Sequence, residues 1–181
     1  YTERLALLPH SYHYNGHDHL YGDVHARPLA REGVVRGDYS SASGARAAEL
    51  LPARALGRTL LCNFNQFYKF VPKFWDVWMQ ILRSTPDALL WFLSWNEAGK
   101  RTLIKHATSR GIAADRLVFS TFFEEEFHVA AKGVCDLFVD THPYSAHGTA
   151  ADALYTGLPV LNIPSESMAS RVSTSLCNAA G

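Results

Sequence analysis

Asp136-Leu-Phe-Val-Asp-Thr-His-Pro-Tyr-Ser-Ala-His-Gly-Thr-Ala-Ala-Asp-Ala-Leu-Tyr155 joins an apolar, strand-like run to a helix-like run through a turn crowded with polar side chains. The run Asp136 to Asp140 has no polar alternation, which predicts a strand buried on both faces, as parallel sheets require. Gly148 to Tyr155 predicts the helix that follows it. The turn between them carries a proline, a serine, two histidines, a glycine and a threonine, more chemistry than a connector needs.

The same order of apolar run, polar turn and helical pattern repeats on either side. Thr59-Leu-Leu-Cys-Asn-Phe64 reads as a strand, and Phe70, Phe74, Val77, Trp78, Ile81 and Leu82 recur at helical spacing behind it, with Pro72 near the helix start. Ala88-Leu-Leu-Trp-Phe-Leu93 is a second strand, followed by a helix from Gly99 to Ser109. Arg116-Leu-Val-Phe119 is a third, with a helix from Glu124 to Gly133. Gly157-Leu-Pro leads into a fifth, Val160-Leu-Asn-Ile163, and Glu166 to Asn178 reads as a last helix. Five strand–helix units over residues 58–181 predict a Rossmann-like, doubly wound α/β domain with a parallel sheet. Trp75, Trp78 and Trp91 read as core packing, and Lys100-Arg101 as a solvated helix start. Residues 20–57 are rich in glycine, serine, charge and histidine, and read as a linker or shortened surface insertion with one short helix near Ala45 to Leu51. Leu5 to His10 reads as a buried strand edge or a short helix.

Bulk composition narrows the classes of function. Of 181 residues, 48% are apolar and 19% charged, a globular balance. Lysine plus arginine equals aspartate plus glutamate at 17 each, so nothing draws the chain toward nucleic acid or an acidic membrane surface. Cys62, Cys135 and Cys177 are odd in number and far apart, as expected of thiols in a reducing compartment. No apolar stretch approaches the roughly 18 residues of a membrane span, and no secretory leader is expected. The chain opens at Tyr1 and closes at Gly181 just after a helical pattern, as expected of a piece of a longer protein.

In an open parallel sheet, ligands bind outside the carboxyl ends of the strands. The turn after Asp140 therefore faces the crevice, and a helix starting at His147-Gly148-Thr149 offers unpaired N–H groups and a partial positive charge to a phosphate. Gly148 admits close backbone approach, Thr149 adds a hydroxyl and His147 a donor. Asp152, one turn later, could accept from ribose hydroxyls. An N-capped helix with a hydrogen-bonded histidine would use some of the same residues. The first strand ends at the same edge in Asn63-Phe-Asn-Gln-Phe-Tyr-Lys69, where Lys69 could neutralise a diphosphate. His13, His17, His19 and His25 match no standard zinc spacing and read as a surface loop, so no metal site is expected.

Cys62 to Lys69, Asp140 to Val160 and Ser170-Arg-Val-Ser-Thr-Ser-Leu176 together resemble the carboxyl-terminal lobe of the protein O-GlcNAc transferases, a family that includes the SPINDLY-type O-fucosyltransferases. Tyr1-Thr-Glu-Arg-Leu-Ala-Leu-Leu-Pro-His10 is similar to the end of the family's amino-terminal catalytic lobe, which places residues 1–19 there. The resemblance implies a two-lobed GT-B fold and metal-independent transfer of a sugar from a nucleotide-sugar to serine or threonine hydroxyls of cytoplasmic and nuclear proteins. It implies no cofactor beyond the nucleotide-sugar, and places the other lobe and the tetratricopeptide repeats that select acceptors outside this stretch. Carried over by motif, Gln66 and Lys69 would contact the diphosphate, with Lys69 stabilising the departing charge as the catalytic group. His147, Gly148 and Thr149 would bind phosphate, Asp152 the ribose, and His128 would lie against the base. Among the histidines of residues 1–19, only His10 and His17 have family counterparts. Glu125, Ala131 and Gly148 depart from the pattern, standing where the animal enzymes carry a lysine and where a basic residue and a threonine are usual. His147 with Asp152 is nearer the UDP-GlcNAc enzymes than the GDP-fucose type. A non-catalytic nucleotide-sugar-binding relative is the competing expectation.

Overall fold

The computed structural model describes residues 11–13, 16–22, 30–36, 51–121 and 125–181. Five strands form one parallel sheet: β1 (Leu60–Asn63), β2 (Leu89–Leu93), β3 (Leu117–Ser120), β4 (Leu137–Val139) and β5 (Val160–Leu161), in the order β3-β2-β1-β4-β5. Seven α-helices accompany them among the described residues: α1 (His17–Tyr21), α2 (Arg31–Arg36), α3 (Pro72–Ser84), α4 (Glu97–Thr108), α5 (Glu125–Lys132), α6 (Gly148–Tyr155) and α7 (Met168–Ala180). The chain builds outward from β1 to β3, then returns to lay β4 against the other side of β1, Leu61 opposite Leu137. That reversal opens a crevice beyond the carboxyl ends of β1 and β4.

Alternation along the strands divides the core between the two faces of the sheet. Leu60, Cys62, Leu89, Trp91 and Leu93 join a layer with Phe127 of α5, Ala150 and Ala153 of α6, and Val172 and Leu176 of α7. Leu61, Leu90 and Phe92 join the opposite layer with Trp75, Trp78, Met79 and Leu82 of α3 and Ala107 of α4. Each such large apolar side chain contributes roughly 1.5–3 kcal/mol when fully buried. The three tryptophans are core residues, as their pattern predicts, and the Trp91 indole N–H donates to Ser120 Oγ at 2.6 Å.

Local chemistry sets the helix ends. Pro72 opens α3, and Asn96 caps α4 by accepting from the Gly99 amide at 2.6 Å, so that helix begins ahead of the expected Gly99. Gly99 is required for packing as well: a Cβ there would lie 2.5 Å from Phe67 Cδ2. The Arg116 guanidinium donates to the carbonyls of Leu82, Thr85 and Ala88, satisfying acceptors left open as α3 ends. Lys100, in the first turn of α4, lies 3.6 Å from Glu97. Of the strand expected over Val160 to Ile163 only Val160 and Leu161 pair, and the last helix starts at Met168.

Residues 31–36 and 51–55 differ from the expected surface insertion. Val34, Val35, Leu51 and Ala55 are buried in the first core layer. Arg31 donates to the carbonyls of Arg58 and Val134 and pairs with Asp136 at 3.0 Å, while Asp136 accepts from the Leu60 amide. These pieces are too short for periodicity to announce them. The expected run at 5–10 and the helix near Ala45 lie outside the described residues. Cys62, Cys135 and Cys177 are free thiols, the first two buried.

Candidate functional site

The carboxyl edge of the sheet is tied together by a buried carboxylate. Asp140, 2% exposed, follows β4 directly. Its Oδ1 accepts from the amides of Thr141 and Ala146 at 2.7 and 2.8 Å and from Asn65 Nδ2 at 3.1 Å, while its Oδ2 accepts from Asn162 Nδ2 at 2.9 Å. Asn65 follows β1 and Asn162 follows β5, so one side chain joins the ends of three strands. Asn63 adds a bond from its amide to the Val139 carbonyl at 2.6 Å and accepts from the Asn65 amide. Thr174 of α7 donates to Asn162. Both carboxylate oxygens of Asp140 are satisfied, which is what makes its burial tolerable.

Above this knot, Lys69 ends the turn of 3-10 helix Phe67–Lys69 and points at the turn after β4. Its Nζ donates to the Ser145 carbonyl at 3.0 Å and lies 4.1 Å from the centre of the Tyr144 ring. Burial lowers the Lys69 pKa, against which the charge of Asp140 acts. Among the described residues, Lys69 makes no ion pair with a carboxylate. His147 stands at the N-cap of α6, but no side chain caps that helix. The His147 ring sits 5.2 Å from Tyr144 and 6.3 Å from His13, with Nδ1 at 3.5 Å from the Tyr12 hydroxyl. Burial, then the positive charge of Lys69, depress its pKa. A cation and an open helix start therefore share one mouth, a setting for a multiply charged anion. Gly148 opens α6, and a Cβ there would meet only His13 Nε2 at 3.7 Å. Thr149 is half-buried behind it, and Gln66 is exposed at the start of the Lys69 turn.

One turn further into α6, Asp152 is already engaged. Its Oδ1 lies 2.7 Å from His17 Nε2 and its Oδ2 lies 3.0 Å from Lys132 Nζ. Lys132 is completely buried, donates also to the His128 carbonyl at 3.0 Å, and lies 5.7 Å from the centre of the Phe64 ring. Burial raises the Asp152 pKa, but the Lys132 and His17 contacts outweigh it and the carboxyl titrates below its ordinary value. His128 lies 5.9 Å from Phe64, and burial together with the Lys132 charge pushes its pKa down to about 4. The imidazole is thus neutral near pH 7, with one nitrogen a donor and the other an acceptor.

Sequence reasoning places Lys69, His147, Gly148 and Thr149 around one mouth, and the structure brings them there. It also brings His128 and Asp152 together, through Lys132, a residue the sequence reading passed over. His17, expected in a surface loop, is instead buried, its ring 4.9 Å from Tyr155 and its nitrogen on Asp152. Its partners lie more than a hundred positions away in sequence, so no local signal announces them. His10 and His25 lie outside the described residues. A depression of about 700 Å3, lined by Ser165, Arg171, Thr174 and Asn178 among others, contains none of the expected donor residues. No helix among the described residues is long and apolar enough to cross a membrane.

Residues 39–181 match the description of Glycosyl transferase family 41. The chain is 39% identical over 136 residues to a UDP-N-acetylglucosamine–peptide N-acetylglucosaminyltransferase of Caenorhabditis elegans, over 75% of this chain and 12% of that protein. It is 30% identical over 184 residues to the probable UDP-N-acetylglucosamine–peptide N-acetylglucosaminyltransferase SEC of Arabidopsis thaliana, over 100% of this chain and 17% of that one. The chain thus spans only a small part of the length of these curated relatives. Among solved structures, a mutant of the Thermobaculum terrenum O-GlcNAc transferase superposes with a TM-score of 0.64 at 29% identity, over 68% of this chain and 24% of that one.

Proposed function

The chain belongs to Glycosyl transferase family 41, and from that premise we propose that residues 58–181 form the donor-binding lobe of a protein O-glycosyltransferase that uses UDP-GlcNAc. Residues 1–19 then end the other catalytic lobe and 20–57 connect the two. The observation that carries the reading is Lys69: a partly buried ammonium without a carboxylate partner among the described residues, aimed at the turn that opens α6. In the proposed reaction a serine or threonine oxygen bonds to the anomeric carbon of the sugar and loses its proton, which passes to the departing diphosphate or to solvent. The bond from that carbon to the diphosphate oxygen breaks, and the diphosphate leaves with the electron pair. Lys69 and the amino end of α6 stand where that negative charge grows, and fixed charges so placed lower the barrier without reorganising. Gln66, His147 and Thr149 offer further hydrogen bonds to the phosphates. Asp152 accepts from the ribose, and neutral His128 faces the base.

Acceptor proteins would meet the donor across the cleft, against the other lobe, in the cytoplasm or nucleus. The chain alone is expected to bind donor and to transfer poorly, because mutual orientation supplies much of the rate. Calorimetric titration with UDP, GDP and UDP-GlcNAc tests the reading. UDP binding that exceeds GDP binding, and that weakens by about tenfold or more in Lys69→Ala, is the expected result. A folded chain that binds neither nucleotide would overturn it. The second reading, a nucleotide-sugar-binding module without turnover, draws on Glu125, Ala131 and Gly148, the three departures from the family pattern. It predicts donor binding and no transfer even when the full-length protein is assayed.

A further inference from the structure

Lys132 is the one lysine completely buried among the described residues. Stability alone does not account for it. Taking two charges out of water is costly, and an apolar pair of similar volume is often as stable. What the lysine does locally is geometric. Its Nζ is held by the His128 carbonyl at 3.0 Å, anchoring it to the preceding turn of α5, and from there it reaches across to Asp152 Oδ2 at 3.0 Å. His17 Nε2 holds the other oxygen at 2.7 Å. The carboxylate of Asp152 is therefore gripped from two sides, one contact per oxygen, while about 20% of the side chain stays accessible. A carboxylate has about four lone-pair positions, so its open side can still accept a hydroxyl, in one orientation.

We propose that Lys132 is a positioning residue of the donor site, acting through Asp152: it fixes the carboxylate so that the ribose of a bound nucleotide meets an acceptor set in advance. The inference rests on the donor-binding reading above and adds to it a residue with no direct contact to the ligand. It divides the site in two. Lys69 acts on the diphosphate end and Lys132, at one remove, on the nucleoside end.

That division is measurable with two probes, UDP and inorganic pyrophosphate, titrated into the full chain and its variants. Lys132→Met is expected to weaken UDP by about tenfold, as the loss of a charge-assisted contact does, and to leave pyrophosphate within about twofold. Lys69→Ala is expected to weaken both. Equal weakening of UDP and pyrophosphate in Lys132→Met, or UDP affinity unchanged in the folded variant, would overturn the proposal. Where Lys132→Met does not fold, the pair Lys132→Met with Asp152→Asn removes both charges and is compared with Asp152→Asn alone. The two should bind UDP alike, since Lys132 has nothing left to position, and a further tenfold loss in the double variant sinks the idea. If the parent chain binds neither UDP nor GDP, the donor reading fails by itself. The clamp is then read from the Asp152 carboxyl by NMR: its midpoint rises when Lys132 is removed, and an unmoved midpoint rejects it.

Discussion

Lys69 and Lys132 meet the chain around α6 a few residues apart, the first just before the helix and the second one turn inside it. Their settings are opposite. Lys69 is half-buried between a carbonyl and an aromatic ring, with no carboxylate in ion-pair contact among the described residues, Asp140 acting on it only from a distance. Lys132 is fully buried with a carboxylate against it. A cation whose charge is already neutralised has little left for a visitor, whereas one held by neutral groups keeps its field for an anion that arrives later. Position in a crevice is thus a poor guide to which charged residue touches ligand. The partner it already has is a better one.

The largest expected effect tests the buried side of that contrast. Lys132→Met leaves the half-buried Asp152 without its cation and should lower stability by about 3 kcal/mol, read from urea unfolding. A loss under about 1 kcal/mol would show that the pair is wetter than it looks.

Next comes pH. His128 titrates near 4 in the folded protein because of burial and the Lys132 charge, against an ordinary value of 6.5. As pH falls from 6.5 toward 4, the unfolded chain takes up this proton and the folded one does not. Stability therefore drops through that window and levels off below it, by up to about 3 kcal/mol. Thermal melts across the window should flatten in His128→Gln, and parallel curves for the two proteins would reject the assignment.

A smaller effect is expected at Lys69. Its replacement by alanine removes no ion pair and should change stability by no more than about 1 kcal/mol, even as nucleotide affinity falls. Stability and binding should separate at Lys69 and move together at Lys132. Smallest of all is Gly148→Ala, which meets only ordinary contact at 3.7 Å and should leave the melting temperature nearly unchanged. If a phosphate rests against that backbone, the added methyl should still weaken pyrophosphate binding.

Much of this was legible in the chain. The strands were readable because each is a short apolar run, β1 and β2 buried on both faces, and the order of strand and helix dictated a parallel sheet. Lys69 and His147 were readable because they sit where strand ends become helix starts. Lys132 was not: in Ala130-Ala-Lys-Gly133 it looks like the basic residue that commonly closes a helix. Only the fold brings Asp152 to it. His17 failed for the same reason, its partner being distant in sequence. Val34 and Leu51 escaped because two short core segments flanked by polar residues have no period to detect.

Asp140 carries one more consequence. Since its carboxylate already holds the amides of Thr141 and Ala146, the loop displaying Tyr144 and His147 is ordered before any ligand comes near. A loop of that length would ordinarily exchange its amide hydrogens with solvent quickly. Here those two should be among the slow ones, protected like strand amides although they lie outside every strand. The loss of conformational freedom in that loop falls on folding rather than on capture, and a ligand reaching the candidate site would meet a rigid receptor.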